Sequence, residues 1–360
     1  MIINDHILTE FMCNLRCTYC PCKVNLMRKE GSFLNTFSHS NILTNKESVS
    51  DFLARNLKII KRSKYQKETP ILKLSGGEIF LIPEFMDMLS FLSNEYAIVQ
   101  ILTNGTLLTS PIIKKLRKFP NIHLQISLDG HTKRMNFYRF QDSKILTTIL
   151  NNLTLISNSD IPLEINCVLT KVNIENFFEF VEVINHRVRQ CIIYPFPVRS
   201  YPELFPLSDQ VDFFARNLKN KFPLVKNLLP PIQYLNSLIE FMKVGKRTKS
   251  CYVPYLVLAT YGDGQLEACT CGSVKTLGNV LSDNPYSKIG HDPCYNNVIN
   301  PDLSPQCCRD CFTHYDIINL FLEGNIPSAK LRTIPFFATP EVINKIIAMK
   351  KEMEVCILKH

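Results

Sequence analysis

The chain has 360 residues, 46% of them hydrophobic, with 12 glycines, 14 cysteines and a formal net charge of +9. Average usage would supply about 25 glycines in this length, so glycine is scarce and cysteine abundant, which excludes collagen-like, glycine-linker and low-complexity chains. The length suits one large domain or one domain with an appendage, and the apolar content is ample for a core that needs no disulfide staples.

The opening residues, MIINDHILTEFMCNL, lack a basic segment followed by an apolar run, so no signal peptide is expected. No stretch reaches ~18 uncharged apolar residues, so no membrane span is expected either. A cytoplasmic location follows, where clustered cysteines more often bind metal or do redox chemistry than form disulfides.

From residue 7 to about 225 the pattern alternates strand and helix. Strands are expected at 7–12, 71–75, 97–103, 122–128, 161–169 and 191–195, and helices at 46–62, 83–95, 110–118, 144–157, 174–186 and 208–220. Pro83 and Pro111 sit at first-turn positions, where the missing N–H costs nothing. Runs such as IVQILT and IHLQIS suit strands buried on both faces of a parallel sheet. The succession predicts an α/β fold over residues 1–225, open or curled into a partial (β/α)6 TIM-like barrel, with ligands at the strands' C-terminal ends.

Residues 226–250 read as a helical linker, and 251–312 as a small cysteine-rich C-terminal extension with short strands near 255–260 and 265–270. The extension has too little apolar material for its own core, so metal is expected to staple it. Residues 313–360 read as C-terminal helices, at 314–322 and 340–354.

Basic groups gather at Lys58–Lys67, at Lys114, Lys115, Arg117 and Lys118, and at Lys243, Lys246, Arg247 and Lys249. They read as solvated helix faces, and no interleaved aromatics mark a nucleic-acid surface.

Cys13, Cys17 and Cys20 follow the first strand directly, spaced three residues and then two. Three thiolates on one tight loop can bind three corners of a 4Fe–4S cluster and leave one iron open. A structural zinc site, with Cys22 as fourth ligand, is the alternative on spacing alone.

With the strand ends that follow, the sequence resembles the radical S-adenosylmethionine (SAM) superfamily. Its cluster motif has this cysteine spacing, commonly with an aromatic residue where Tyr19 stands. Leu74-Ser75-Gly76-Gly77-Glu78 is similar to the family's Gly-Gly-Glu motif, and Leu102-Thr103-Asn104-Gly105-Thr106, Ile126-Ser127-Leu128-Asp129-Gly130 and Arg139 match further segments in order. The resemblance implies that SAM sits on the open iron. Gly76, Gly77 and Glu78 would hold its amine, Tyr19 would lie near the adenine, Asn104 and Ser127 near the ribose or sulfonium, and Arg139 near the carboxylate. The chain departs from many peptide-modifying relatives at Pro21-Cys22, just after the third cysteine.

Cys251, twelve residues, Gly264, four residues and Cys269 resemble the opening of the SPASM and twitch extensions behind some radical SAM cores, and Leu277–Val280 is similar to the segment that usually follows. Cys308 and Cys311 would complete a four-thiolate auxiliary iron–sulfur site, for which a zinc ribbon on the same residues is the alternative. Ile317 stands where a full SPASM pattern has its next cysteine, so the one-cluster twitch pattern fits better, with Cys271, Cys294 and Cys307 surplus. Cys167 and Cys191 read as buried small hydrophobes, with a thiol hydrogen-atom donor as the sharper reading. Glu164, Asp129 and Tyr194 are unranked acid–base candidates near strand ends.

The resemblance implies an enzyme that makes a 5′-deoxyadenosyl radical for oxidative modification of a ribosomally made peptide or protein side chain. A small-molecule dehydrogenase or epimerase, for instance of an aminocyclitol, is the second reading, and a metal-stabilised non-catalytic binding protein the third. The first strand begins almost at once, so no N-terminal peptide-recognition domain is expected. Reduced flavodoxin or ferredoxin is the implied electron donor, with neither nucleic acid nor membrane as partner.

Overall fold

The computed structural model describes residues 2, 4–8, 13–20, 69–82, 85–261, 265–269, 276–280, 282 and 286–357. The helix expected at 46–62, the second half of the first strand, Pro83, Cys22, Gly264 and Cys271 lie outside the described residues. So do the side chains of Cys294 and Cys356.

Six parallel strands form the main sheet: β1 (Asn4–Leu8), β2 (Ile71–Ser75), β3 (Ile98–Thr103), β4 (Ile122–Ser127), β5 (Leu163–Leu169) and β6 (Ile192–Pro197). Helices α1 (Phe85–Glu95), α2 (Ser110–Leu116), α3 (Ser143–Ser157) and α4 (Phe177–Arg187) alternate with them, and α5 (Ser208–Val225) follows β6. This is the partial (β/α)6 arrangement that the strand–helix alternation predicts.

The helices form where apolar spacing and caps allow. In α3, Leu146, Ile149, Leu153 and Ile156 recur at helical spacing and are all buried. Asp142 caps that helix by accepting from the Lys144 N–H at 2.8 Å. Pro111 lies in the first turn of α2, as expected. Helix α6 (Ile232–Val244) lies within 226–250 and ends at Gly245, whose φ of +74° and N–H to the Phe241 carbonyl at 2.8 Å close the last turn.

The strands are buried on both faces, but the two faces differ. One is apolar, carrying Leu72, Leu74, Val99, Ile101, Leu124, Ile126, Ile165 and Ile193, which join the helix residues in one core. The other is polar. Register pairs His6 with Lys73, Lys73 with Gln100, Gln100 with His123, Gln125 with Glu164, and Asn166 with Tyr194. In-register parallel partners share a face, and all of these side chains are buried.

Burial holds His123 neutral, lowering its pKa from 6.5 to about 4. Between those values the unfolded chain binds a proton that the folded one does not, so stability falls as pH falls from 6.5 toward 4. That window is worth about 3 kcal/mol at most. His123→Gln is expected to flatten the slope of urea midpoint against pH in that window.

The extension does not stand apart from the sheet. Its first strand, β7 (Val257–Tyr261), pairs parallel with β1, Asn4 opposite Val257 and Leu8 opposite Tyr261. Two antiparallel strands, β8 (Gln265–Glu267) and β9 (Thr276–Asn279), continue outward. The full order is β6-β5-β4-β3-β2-β1-β7-β8-β9. Helices α7 (Asp316–Leu322) and α8 (Pro340–Ile357) come after Cys311. Among the described residues, no helix is long and apolar enough to cross a membrane.

The basic segment at 114–118 is solvated as expected, but Arg247 is not. It is only 6% exposed, because it is committed to the extension's interior.

Candidate active site

The loop of Cys13, Cys17 and Cys20 lies just beyond the C-terminal end of β1. Cys13 is exposed, and Cys17 and Cys20 are half-buried. The Thr18 N–H donates to the Tyr138 carbonyl at 2.7 Å and the Cys20 N–H to the Cys17 carbonyl at 3.2 Å, so the loop is tied to itself and to the segment after β4. The Leu15 N–H donates to the Cys13 sulfur at 3.4 Å, and the Asn104 amide reaches it at 3.8 Å. Burial raises the Cys13 thiol above its ordinary value and pushes Cys17 up to about 11, the latter against the opposing pull of Arg139. Each of these two thiols is raised further by Cys20. Three mutually sensed thiols on one loop, with amide donors already on sulfur, fit the open corner set of a 4Fe–4S cluster.

At the end of β2, Gly76 and Gly77 are half-buried and Glu78 is 1% exposed. The Glu78 carboxylate accepts from Thr103 Oγ1 at 2.7 Å, the Asn104 N–H at 2.7 Å and the Phe80 N–H at 3.3 Å. It thereby clamps the end of β3 to the end of β2, and burial raises its pKa in spite of those donors. Asn104 in turn donates to Asn14 Oδ1 at 2.7 Å, so the motif residues of three strand ends form one bonded layer. Gly105 follows with φ +79°, and a Cβ there would sit 3.1 Å from Ile126 Cγ2. Only glycine makes this turn without strain.

Asp129 is the hub of the fourth strand end. It accepts from the Tyr19 hydroxyl, from Arg139 at 3.2 Å and from the Val168 N–H at 2.9 Å. Arg139 also stands over the Tyr19 ring, 5.5 Å from its centroid. Tyr19, Asp129 and Arg139 are all buried, and Arg139 Nε has no partner. A buried, unpaired guanidinium N–H suits a carboxylate ligand such as that of SAM. Ser127 is half-buried at the end of β4, in register with Asn166. Cys167, by contrast, lies in the apolar core with its sulfur 3.7 Å from the Asp129 carbonyl, and Cys191 is buried there too, pushed up to about 12 by desolvation.

In the extension, Cys251, Cys269, Cys308 and Cys311 are all buried. The structure brings these four thiols within each other's fields: Cys251 is raised by burial and then by Cys311 among others, and Cys308 by its bond with Cys307, by burial, and by Cys269 and Cys311. Arg199 donates to the Cys311 sulfur at 3.4 Å and Asn319 to the Cys251 sulfur at 3.9 Å. Arg247 binds the Cys311 carbonyl at 2.5 Å and both oxygens of Asp316 at 2.5 and 3.1 Å. Among the described residues, no three His, Cys, Asp or Glu side chains are gathered around a single-ion position.

Between these two cysteine sets runs the polar face of the sheet. Lys73 Nζ donates to Gln125 Oε1 at 2.9 Å and meets His314 Nε2 at 3.1 Å. Gln125 and Gln100 each donate to Glu164 Oε2 at 2.8 Å. Tyr194 packs near His314, and Asn4 donates to the Tyr315 hydroxyl at 2.6 Å. Sequence reasoning missed Lys73, Gln100, Gln125 and His314. The available signal was a polar residue at alternate positions of otherwise apolar strands.

Residues 10–184 match the profile of the Radical SAM superfamily. That span holds the three-cysteine loop, the glycine pair with Glu78, Asn104, Ser127, Asp129 and Arg139. Residues 10–184 form a radical SAM domain. The family implies a 4Fe–4S cluster and SAM, and the donor set just described fits both. The chain is 31% identical over 115 residues to the AdoMet-dependent heme synthase of Methanosarcina barkeri, covering 32% of this chain and 33% of that protein. It is 22% identical over 247 residues to the neomycin C epimerase of Streptomyces fradiae, covering 68% and 70%. The first match thus spans only about a third of the heme synthase. Streptococcus suis SuiB has a similar fold, with a TM-score of 0.56 at 16% identity over 82% of this chain and 67% of SuiB. So does anSMEcpe, solved with AdoMet and the Cp18Cys peptide: TM-score 0.55, 16% identity, 97% and 100% covered.

Proposed function

We propose that this radical SAM enzyme oxidatively modifies a ribosomally made peptide or protein side chain, by crosslinking, dehydrogenation or epimerisation. The observation that carries the reading is the pairing of two thiol sets on one sheet, an open three-cysteine loop beyond β1 and four buried cysteines beside β7. Cys13, Cys17 and Cys20 would hold the 4Fe–4S cluster, and Cys251, Cys269, Cys308 and Cys311 an auxiliary iron–sulfur cluster. Bound SAM supplies a 5′-deoxyadenosyl radical once an electron reaches it. The chain's own part is positional. Gly76, Gly77 and Glu78 shape the cradle for the methionine amine, Arg139 offers its unpaired Nε to the carboxylate, and Tyr19, Asn104 and Ser127 line the nucleoside side. The bonded layer of strand ends fixes these groups in place, which would hold a substrate carbon close to bound SAM.

Arg16, Lys133 and Arg134 are exposed on the three-cysteine loop and the segment bonded to it. They suit an acidic electron donor, reduced flavodoxin or ferredoxin. Anaerobic reconstitution should give about eight irons per chain, two clusters' worth. SAM and dithionite should then yield 5′-deoxyadenosine. Four irons or fewer would remove the auxiliary cluster, and no 5′-deoxyadenosine would remove the enzyme reading.

A second reading, dehydrogenation or epimerisation of a small molecule, is favoured by the similarity to neomycin C epimerase over 68% of the chain. Deuterium uptake from solvent into an aminocyclitol (epimerisation) or a product two hydrogens lighter (dehydrogenation), with neither change in candidate peptides, would select it.

A further inference from the structure

The polar interior of the barrel contains a carboxyl group and an amine that the SAM site does not use. Glu164 on β5 and Lys73 on β2 are bridged by a single side chain, Gln125, which accepts from Lys73 at 2.9 Å and donates to Glu164 at 2.8 Å. All three are at least nine-tenths buried. The two Glu164 oxygens are treated very differently. Oε2 takes donors from both Gln100 and Gln125, whereas Oε1 has no partner. A buried oxygen left bare costs about 1–3 kcal/mol, and Oε1 is open to a further donor, as Gln100 Oε1 and Asn166 Oδ1 on the same face are.

We propose that Glu164 is the proton acceptor for the substrate, with Lys73 as the charge that sets its readiness. This rests on the oxidative reading above. In the crosslinking and dehydrogenation forms of that reading the substrate loses a C–H and an X–H bond, X being N, O or S, and gains a C–X bond. The hydrogen atom of the C–H bond goes to the 5′-deoxyadenosyl radical. One electron goes to an oxidised iron–sulfur cluster, and the X–H proton goes to Glu164 Oε1, forming an O–H bond.

Geometry and charge both favour this role. Glu164 lies on the same face as Asn166, which is in register with Ser127 at the SAM end of β4. Burial raises the Glu164 pKa to about 7 and lowers that of Lys73 to about 7, each opposed by the other's charge. An acceptor works best when its pKa is near the working pH. The groups facing the pair are His6 from β1, Tyr194 from β6 and His314 from the loop after Cys311, with Arg199 beside His314. Burial keeps both histidines well below their ordinary value, so Lys73 is the cation that governs the pair.

The test compares wild type with Glu164→Gln and Lys73→Met, using reconstituted full-length protein and a synthetic peptide carrying cysteine and serine side chains as the probe. Glu164→Gln should keep forming 5′-deoxyadenosine while product falls by about a hundredfold or more, the span of general acid–base catalysis. Lys73→Met should shift the acid limb of the product pH profile upward, because loss of the amine raises Glu164 further. A readout independent of turnover is 13C NMR of protein labelled at glutamate carboxyls, where one resonance should titrate near neutrality and vanish in Glu164→Gln. Product within threefold of wild type in Glu164→Gln, or a Glu164 resonance titrating at the ordinary glutamate value, would overturn the proposal. If Glu164→Gln does not fold, the NMR titration of wild type and Lys73→Met decides alone. Absence of 5′-deoxyadenosine from the wild type would instead refute the parent reading, and the NMR result would stand apart from it.

Discussion

Cys17→Ala is expected to abolish 5′-deoxyadenosine formation and to lower bound iron by about four per chain, one cluster's complement. Cys17 is tied into the loop by backbone bonds. Its carbonyl receives the Cys20 N–H, and the next residue is bonded to Tyr138. Its thiol is desolvated enough to rise to about 11 with Arg139 close by. To act as a ligand the thiol gives its proton up to the metal, so cluster binding here is coupled to proton release. With one corner missing, the two remaining thiols cannot present three irons and leave the fourth open. The loss of turnover should therefore be on the order of 10³-fold or more, as for removal of a group that works only as part of a unit. Cys308→Ala makes the contrast. It should also lose about four irons, yet retain 5′-deoxyadenosine formation in the absence of substrate. Iron analysis and product quantification on the two variants check both halves. Equal loss of 5′-deoxyadenosine in both would mean the two sets do not have separate roles.

Much of this was legible in the sequence because the strands are short apolar runs with turn residues directly after them. ILKLS followed by Gly-Gly-Glu and IVQILT followed by Asn-Gly each announce a strand end and a site at once. The motif residues then fall into one layer because parallel strands in register end together. What was illegible has two physical causes. The first is that a strand buried on both faces reads as apolar overall, so the alternation of Lys73, Gln100, Gln125 and Glu164 within such runs looks like noise until register aligns the four on one face. The second is that pairing at long sequence distance leaves no local trace. Nothing near Val257 says that it lies beside Asn4, and nothing near Arg247 separates it from the solvated lysines around it. Its partners, Asp316 and the Cys311 carbonyl, are more than sixty residues away. Glu78 falls between these cases. Its motif is plain in the sequence, but its bonds to Thr103 and Asn104 appear only once β2 and β3 are adjacent.

Arg247→Met is expected to destabilise the chain by about 3–5 kcal/mol, the usual cost of breaking a buried ion pair from one side. Arg247 and Asp316 are both buried, and the guanidinium meets both carboxylate oxygens. Asp316 also accepts from the Thr313 N–H at 2.7 Å and from Asn319 at 3.0 Å, so this buried carboxyl is fixed in place and would lose its ion-pair partner without the arginine. Asp316→Asn should cost a similar amount by stranding Arg247. The double variant should recover a large part of the sum, since no lone charge remains. Urea unfolding of the four proteins measures the coupling. The same network reaches the auxiliary thiols on two sides, through Arg247 on the Cys311 carbonyl and Asn319 on the Cys251 sulfur. Arg247→Met should therefore take up less iron in the extension at equal folded fraction, while the three-cysteine loop, held by β1, β3 and β4, fills normally. A variant that lost stability but bound its full iron would show that Arg247 only holds the fold and does not position the cysteines.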